Sequence, residues 1–353
     1  MKAKEFRKLL QNIKSNVYTH STLVIDTDPF DQEVERYRLK DKHIILLTEA
    51  LKPNLYITEL NLLGNKIGDI GAAALAELHN LETLNLSNNF ITVKGVIALA
   101  NSHLKKLFLG ANQIYYNTQN HQQYIEMVEA FINNNTIVEL NLDCSIIASK
   151  LLAQLIKHNT VIKTLHLGND LNDEALKFIE HNNTLEELYI SRNNLTDIGA
   201  EYISRNASLK TLHIKNSNIG DIGAKFLSNH TSLQKLTLID SNITNEGAKN
   251  FFGSNLEKVI IFNGVKHNFM SSKECIEFEV NFKYAQEYKQ ELLQKLQAQQ
   301  EYYYQITNGE QYFGINPDMN NIDSIQNAID VLQNQWAKDY VEQHLMGDVN
   351  YSE

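Results

Sequence analysis

The chain has 353 residues, 43% hydrophobic and 21% charged, ordinary globular usage that excludes wholesale disorder and collagen-like repeats. Its 32 Lys and Arg against 42 Asp and Glu leave a formal charge of -10, which argues against nucleic acid or an anionic membrane as the main partner. No apolar run approaches the ~18 residues that a membrane span needs.

The opening MKAKEFRKLLQNIKS is basic but lacks the apolar stretch and cleavage site of a secretory signal. Phe6, Leu9, Leu10 and Ile13 fall on one helical face. Thr22 to Asp26 reads as an edge strand and Lys42 to Lys52 as a helix. Residues 1–56 therefore read as an N-terminal cap that shields one end of a repeat core. Two cysteines, Cys144 and Cys275, make no disulfide framework and point to a reducing, cytosolic-type compartment.

From residue 57 to 264 one pattern recurs. LETLNLSNNFI from Leu81, LEELYISRNNL from Leu185, LKTLHIKNSNI from Leu209 and LQKLTLIDSNI from Leu233 fit L-x-x-L-x-L-x-x-N/S-x-I. The first apolar position returns at Ile57, Leu81, Leu104, Ile137, Ile162, Leu185, Leu209, Leu233 and Leu256, in steps of 24, 23, 33, 25, 23, 24, 24 and 23. After each strand-like half come a glycine (Gly71, Gly95, Gly199, Gly223, Gly247), a small residue and a large apolar one. That is a helix whose small face approaches its neighbour. Asp69, Asp197, Asp221 and Asn245, with Asp173 and Ser149 in less regular units, are expected to accept from the first turn of these helices. The Asn column (Asn65, Asn89, Asn112, Asn193) is expected to bond backbone where the chain leaves the sheet, with Ser145, Ser217 and Ser241 in its place elsewhere. The fifth unit is one residue short and predicts an irregularity. The third carries nine extra residues, roughly Tyr115 to Gln123, which predict a bulge.

Nine such units are the leucine-rich-repeat signature: an α/β solenoid, a horseshoe with a parallel sheet inside and helices outside. Residues 57–264 resemble the ribonuclease-inhibitor-like repeats. More narrowly they are similar to the 24-residue bacterial subtype whose helix reads G-A-x-A-L-A, as in GAAALA from Gly71. That resemblance implies a bacterial effector that is delivered into a eukaryotic host cell and acts on a host protein. Some members carry an F-box that recruits a ubiquitin ligase, so the competing reading is an adaptor or regulator of such an enzyme complex. Residues 1–50 show no L-P-x-E start of an F-box.

The tail, 265–353, holds 14 acidic and 6 basic residues and so carries -8 of the total charge. Ile276, Phe278, Val280 and Phe282 alternate as a strand that would close the sheet. Tyr284 to Tyr304 reads as a helix, Asn308 to Asn321 as a linker, and Ile322 to Trp336 as an amphipathic helix. We expect these helices to fold back as a C-terminal cap.

No constellation supports catalysis. Asp26-Thr-Asp28 reads as turn chemistry, neither cysteine has a histidine beside it in sequence, and no phosphate loop or H-E-x-x-H occurs. His166 and His213 share a column, but Tyr189 fills the gap between them and no third ligand is evident, so a contact surface is preferred to a metal site. No cofactor is expected. The two inward columns run Asn61, Asn85, Phe108, Asn141, His166, Tyr189, His213, Thr237, Ile260 and Leu63, Ser87, Gly110, Asp143, Gly168, Ser191, Lys215, Ile239, Phe262. The expected partner is a protein, held by Phe108, His166, Tyr189, His213 and Lys215, with Tyr115 and Tyr116 at the edge.

Overall fold

The computed structural model describes residues 3–26, 38–169, 171–251, 254–262 and 280–281, all within one compact unit spanning Met1–Gln286. Helix α1 (Ala3–Lys14), strand β1 (Thr22–Val24) and α2 (Asp41–Leu51) come first. Strands and helices then alternate: β2 (Glu59–Asn61), α3 (Asp69–Ala76), β3 (Thr83–Asn85), α4 (Val93–Ala100), β4 (Lys106–Phe108), α5 (His121–Asn133), β5 (Glu139–Leu142), α6 (Ser149–His158) and β6 (Thr164–Gly168). The shortened fifth unit has two 3₁₀ turns, Asp173–Leu176 and Ile179–His181, in place of a helix. The series resumes with β7 (Glu187–Ser191), α7 (Asp197–Ser204), β8 (Thr211–Lys215), α8 (Asp221–Ser228), β9 (Lys235–Ile239), α9 (Asn245–Ala248) and β10 (Lys258–Phe262).

All the strands form one sheet in chain order, and β1 to β10 are parallel. A last pair, β11 (Val280–Asn281), lies antiparallel on β10 with Val280 opposite Val259. The expected closing strand is thus found at these two residues. Its other members, the tail helices, Trp336, Cys275 and Asp28 lie outside the described residues. Alternate strand residues (Leu60, Leu84, Leu107, Leu140, Leu165, Leu188, Leu212, Leu236) are fully buried against the helix layer. Phe6 and Ile13 of α1 close the front end of the same core. Among the described residues no helix is long and apolar enough to cross a membrane.

The helix layer corrects one expectation. The aspartates do cap helices, but each caps the helix of the following unit. Asp69 Oδ1 accepts from Thr92 N at 2.8 Å and Gly95 N at 3.0 Å. Asp197 Oδ1 accepts from Gly220 N at 2.7 Å and Gly223 N at 2.9 Å. Asp41 serves Gly68 and Gly71, Asp173 serves Thr196, Asp221 serves Thr244, and Ser149 serves Asn172 in the same way. The carboxylate lies in the first turn of its own helix and meets the orphan N–H groups at the start of the next, where negative charge is favoured. This explains the repeated glycine. A Cβ on Gly223 would fall 2.6 Å from Asp197 Oδ1 and 2.6 Å from Ile219 Cγ2.

Two side-chain ladders hold the strands' ends. At the exit, Asn89 Nδ2 donates to Leu62 O and Leu86 O while its Oδ1 accepts from Ile67 N. Asn65 and Asn112 repeat this pattern. Asn193 instead donates to Lys215 O of the following unit. The Ser145 and Ser217 hydroxyls that replace it are buried without a partner. At the entry a second ladder was not read from the sequence. Asn206 Nδ2 donates to Ile179 O and Asn182 O, and its Oδ1 accepts from Ser208 N and Leu209 N. Asn54, Asn134, Asn159 and Asn182 do likewise. His230 takes the next place. Its Nδ1 accepts from Ser232 N and Leu233 N, so the proton sits on Nε2, which faces Ile203 O in a geometry too poor for a full hydrogen bond.

The insertion does not bulge freely. Asn117 caps a short turn, Thr118–Asn120, by accepting from Gln119 N and Asn120 N. The remaining extra length lengthens α5 to 13 residues against eight in α3 and α4.

Candidate functional site: the open face of the sheet

Residues between the buried ones on each strand point away from the helices. Strand register places Asn61, Asn85, Phe108, Asn141, His166, Tyr189, His213, Thr237 and Ile260 side by side, the column read from the sequence. At ~4.8 Å per strand, the nine strands span roughly 38 Å.

The column is not uniform. Asn61, Asn85 and Asn141 turn their carbonyl oxygens back to their own backbone, accepting from Leu63 N, Ser87 N and Asp143 N at 2.9–3.1 Å. These side chains are spent on ending their strands. Phe108 stands between two of them, half-buried and apart from the other rings. On β6, β7 and β8, which carry His166, Tyr189 and His213, the strands run on for five residues. There the rings meet. His166 and Tyr189 stack with centroids 4.2 Å apart and planes within 4°, and His213 leans on the other side of Tyr189 at 6.0 Å.

Electrostatics follow from this packing. Burial holds the His166 imidazole below its usual value, against the pull of Glu139, Asp143 and Glu187. Burial and then Lys215 do the same to His213. Both shifts favour the neutral ring. The Tyr189 hydroxyl is pushed up to about 12, first by burial and then by its 3.0 Å bond to Glu187. Beside the stack, Asp143 Oδ1 accepts from Ser191 Oγ at 2.5 Å across the intervening strand. Gly168 makes this passage, since a Cβ there would fall 2.1 Å from Asp143 Oδ1.

The structure also shows a third column that was counted only as variable positions in the motif: Glu59, Thr83, Lys106, Glu139, Thr164, Glu187, Thr211, Lys235 and Lys258. The signal was there, two residues before each aromatic or Asn position. Lys106 pairs with Glu139 at 2.9 Å, and Glu187 fixes Tyr189.

Lys215 is exposed at the end of β8, level with Ser191 and Ile239. The two insertion tyrosines part company. Tyr115 is exposed and bridges to Ile146. Tyr116 packs edge-on against buried Tyr124, and its hydroxyl bonds His121 Nδ1 at 3.0 Å, so it braces the start of α5. Burial and Asp143 push the Cys144 thiol up, away from the thiolate that a nucleophile needs. Among the described residues no three His, Cys, Asp or Glu side chains are grouped as a metal site.

Sheet order, the alternation of strands and helices and the register of nine units define a leucine-rich-repeat solenoid. The leucine rich repeat family matches residues 56–114 and 183–257. Such repeats generally mediate protein–protein interaction. Among solved structures the chain is similar to a tropomodulin C-terminal domain from Caenorhabditis elegans (16% identity over 43% of this chain and 89% of that one, TM-score 0.35). It is similar also to actin-binding site 2 of leiomodin-1 (22% identity, 47% and 80%, TM-score 0.29) and to internalin C2 of Listeria monocytogenes (18% identity, 68% and 80%, TM-score 0.35).

Proposed function

We propose that the chain is a non-enzymatic binding module that holds a partner protein on the open face of its sheet, and that it acts as a bacterial effector on a host protein. One observation carries the binding site. The His166, Tyr189 and His213 rings are half-buried and packed on one another, whereas the neighbouring asparagines turn back to their own backbone. Pre-ordered aromatic surface binds with little loss of side-chain freedom, and aromatics dominate interface hot spots. The effector role rests on the G-A-x-A-L-A resemblance in α3 alone.

The test uses the full chain. Proteins captured from a eukaryotic lysate are identified, purified and titrated against the wild type, against Tyr189→Ala/His213→Ala, and against Ile222→Ala on the helix layer, where Ile222 is 64% exposed. The face variant should bind about tenfold more weakly or worse. The helix-layer variant should bind as the wild type does. A partner indifferent to Tyr189 and His213 refutes the site.

A further inference from the structure

The charges on the open face are sorted by position. On β2 to β7 its three columns hold Glu59, Glu139, Asp143 and Glu187 with one cation, Lys106. On β8 to β10 they hold Lys215, Lys235 and Lys258 and no carboxylate. Arg192 and Asp240, in the exit turns beyond β7 and β9, have the reverse signs, so the sorting belongs to the sheet itself. The carboxylates are held in place: Glu59 by Thr22 Oγ1, Glu139 by Lys106, Asp143 by Ser191 and Glu187 by Tyr189. Three of these partners are neutral, so their carboxylates keep their charge. Glu139 to Glu187 and Lys215 to Lys258 are centred about three strands apart, roughly 14 Å. That exceeds the screening length of ~8 Å at physiological salt. The two fields therefore do not cancel, and a partner meets two potentials of opposite sign with the aromatic stack between them.

We infer that the partner's contacting segment is itself bipolar: basic side chains, arginine above all, over β5 to β7, and acidic side chains over β8 to β10. Guanidinium is the favoured cation because its planar fork bonds a carboxylate through two parallel N–H donors, and Glu139, Asp143 and Glu187 all lie close to the His166 ring. From β5 to β10 the face runs about 24 Å, the length of some 16 helical residues. The inference deepens the proposed function and rests on it.

Two alanine-based helical peptides of equal composition separate the two claims. One carries its arginines and glutamates in two blocks, the other interleaves them, and each is titrated by fluorescence anisotropy against the full chain at ~0.15 M salt. The block peptide should bind about tenfold tighter. Glu139→Gln/Asp143→Asn/Glu187→Gln and, separately, Lys215→Gln/Lys235→Gln/Lys258→Gln should each remove that advantage. Equal binding of the two peptides to the wild-type chain, no binding of either, or an advantage that outlasts both triple variants overturns the inference. If the peptides bind equally and Tyr189→Ala weakens both, polarity fails while binding on this face stands. If the wild-type chain self-associates and both triple variants abolish this, the occupant is a second copy and the separate bipolar partner is refuted.

Discussion

The front and back of the solenoid solve one problem differently. From β2 to β4 the strands are three residues long, and Asn65, Asn89 and Asn112 tie each exit to the unit before it. From β6 to β10 the strands are five residues long, Asn193 bonds forward, and the Ser217 hydroxyl is buried without a partner. Both halves carry the same buried leucines. In front, amide side chains help to join units at the strand exits, and behind, Asn182 and Asn206 do so at the strand entries. Behind, the Ser217 exit lacks that amide, while backbone bonds run on past the strand ends in both halves, as from Gly64 N to Ser87 O in front and from Arg192 N to Lys215 O behind. The difference teaches that one backbone ladder can be reinforced at its exits by a buried amide or run on without one.

The sharpest way to break this comparison is to remove the amide. Asn89→Ala leaves three buried backbone groups without their side-chain partner and should lower stability by about 3 kcal/mol in a urea melt. Loss below about 1 kcal/mol would mean that water replaces the ladder and that the two halves do not differ.

Next comes pH. His230 holds the place of Asn206 as a neutral ring, with burial lowering its pKa to about 4 from an unfolded value of 6.5. The unfolded chain then binds the proton first. The stability this gives is present above pH 6.5 and is lost as pH falls from there toward 4, by an amount on the order of 2 kcal/mol. Asn206 and Asn182 show that Asn fits this position. His230→Asn should therefore match the wild type near pH 7 and melt distinctly higher at pH 4.5. Parallel melting curves across that range would count against the neutral ring.

The helix layer should show no front–back difference at all. A Cβ at Gly95 meets Asp69 Oδ1 at 2.7 Å and Ala72 Cβ at 3.1 Å; at Gly223 it meets Asp197 Oδ1 at 2.6 Å and Ala200 Cβ at 3.1 Å. Gly95→Ala and Gly223→Ala should each cost about 1–2 kcal/mol after the gain in helix propensity. Unequal urea midpoints would place part of the asymmetry in the helices. Smallest of all, Ser217→Ala removes a hydroxyl that bonds nothing and should shift the midpoint by no more than ~0.5 kcal/mol, or upward.

Much of this was legible beforehand because one unit repeated nine times averages out local ambiguity. The strand columns, the exit asparagines and the irregular fifth unit were all readable from spacing. What escaped reading was whatever depends on a neighbour. Asp69 and Asp197 fit the start of their own helices in sequence and serve the next ones in space. Asn134, Asn159, Asn182 and Asn206 precede their strands by five residues as steadily as Asn89 follows its own, but their acceptors are carbonyls a unit away. The insertion was expected as a loop because extra length was counted without asking whether Tyr124 had a core to enter. At the open face, period two gave the column but not which of its members spend themselves on their own backbone.

The relay of carboxylates gives the stack a grammatical order. Asp41 caps α3, Asp69 caps α4, and the relay lapses at Val93, where the inserted unit supplies its own Asn117 turn. It resumes at Ser149 and passes through Asp173, Asp197 and Asp221 to the start of α9. Each helix in the relay thus takes its cap from the unit before it, while the turn that leads into α3 or α4 bonds the asparagine of the unit after it. Shortening from the rear deprives no surviving helix of its cap, whereas shortening from the front uncaps the first survivor. By the caps alone, loss of a unit at the front therefore costs more than loss of one at the rear.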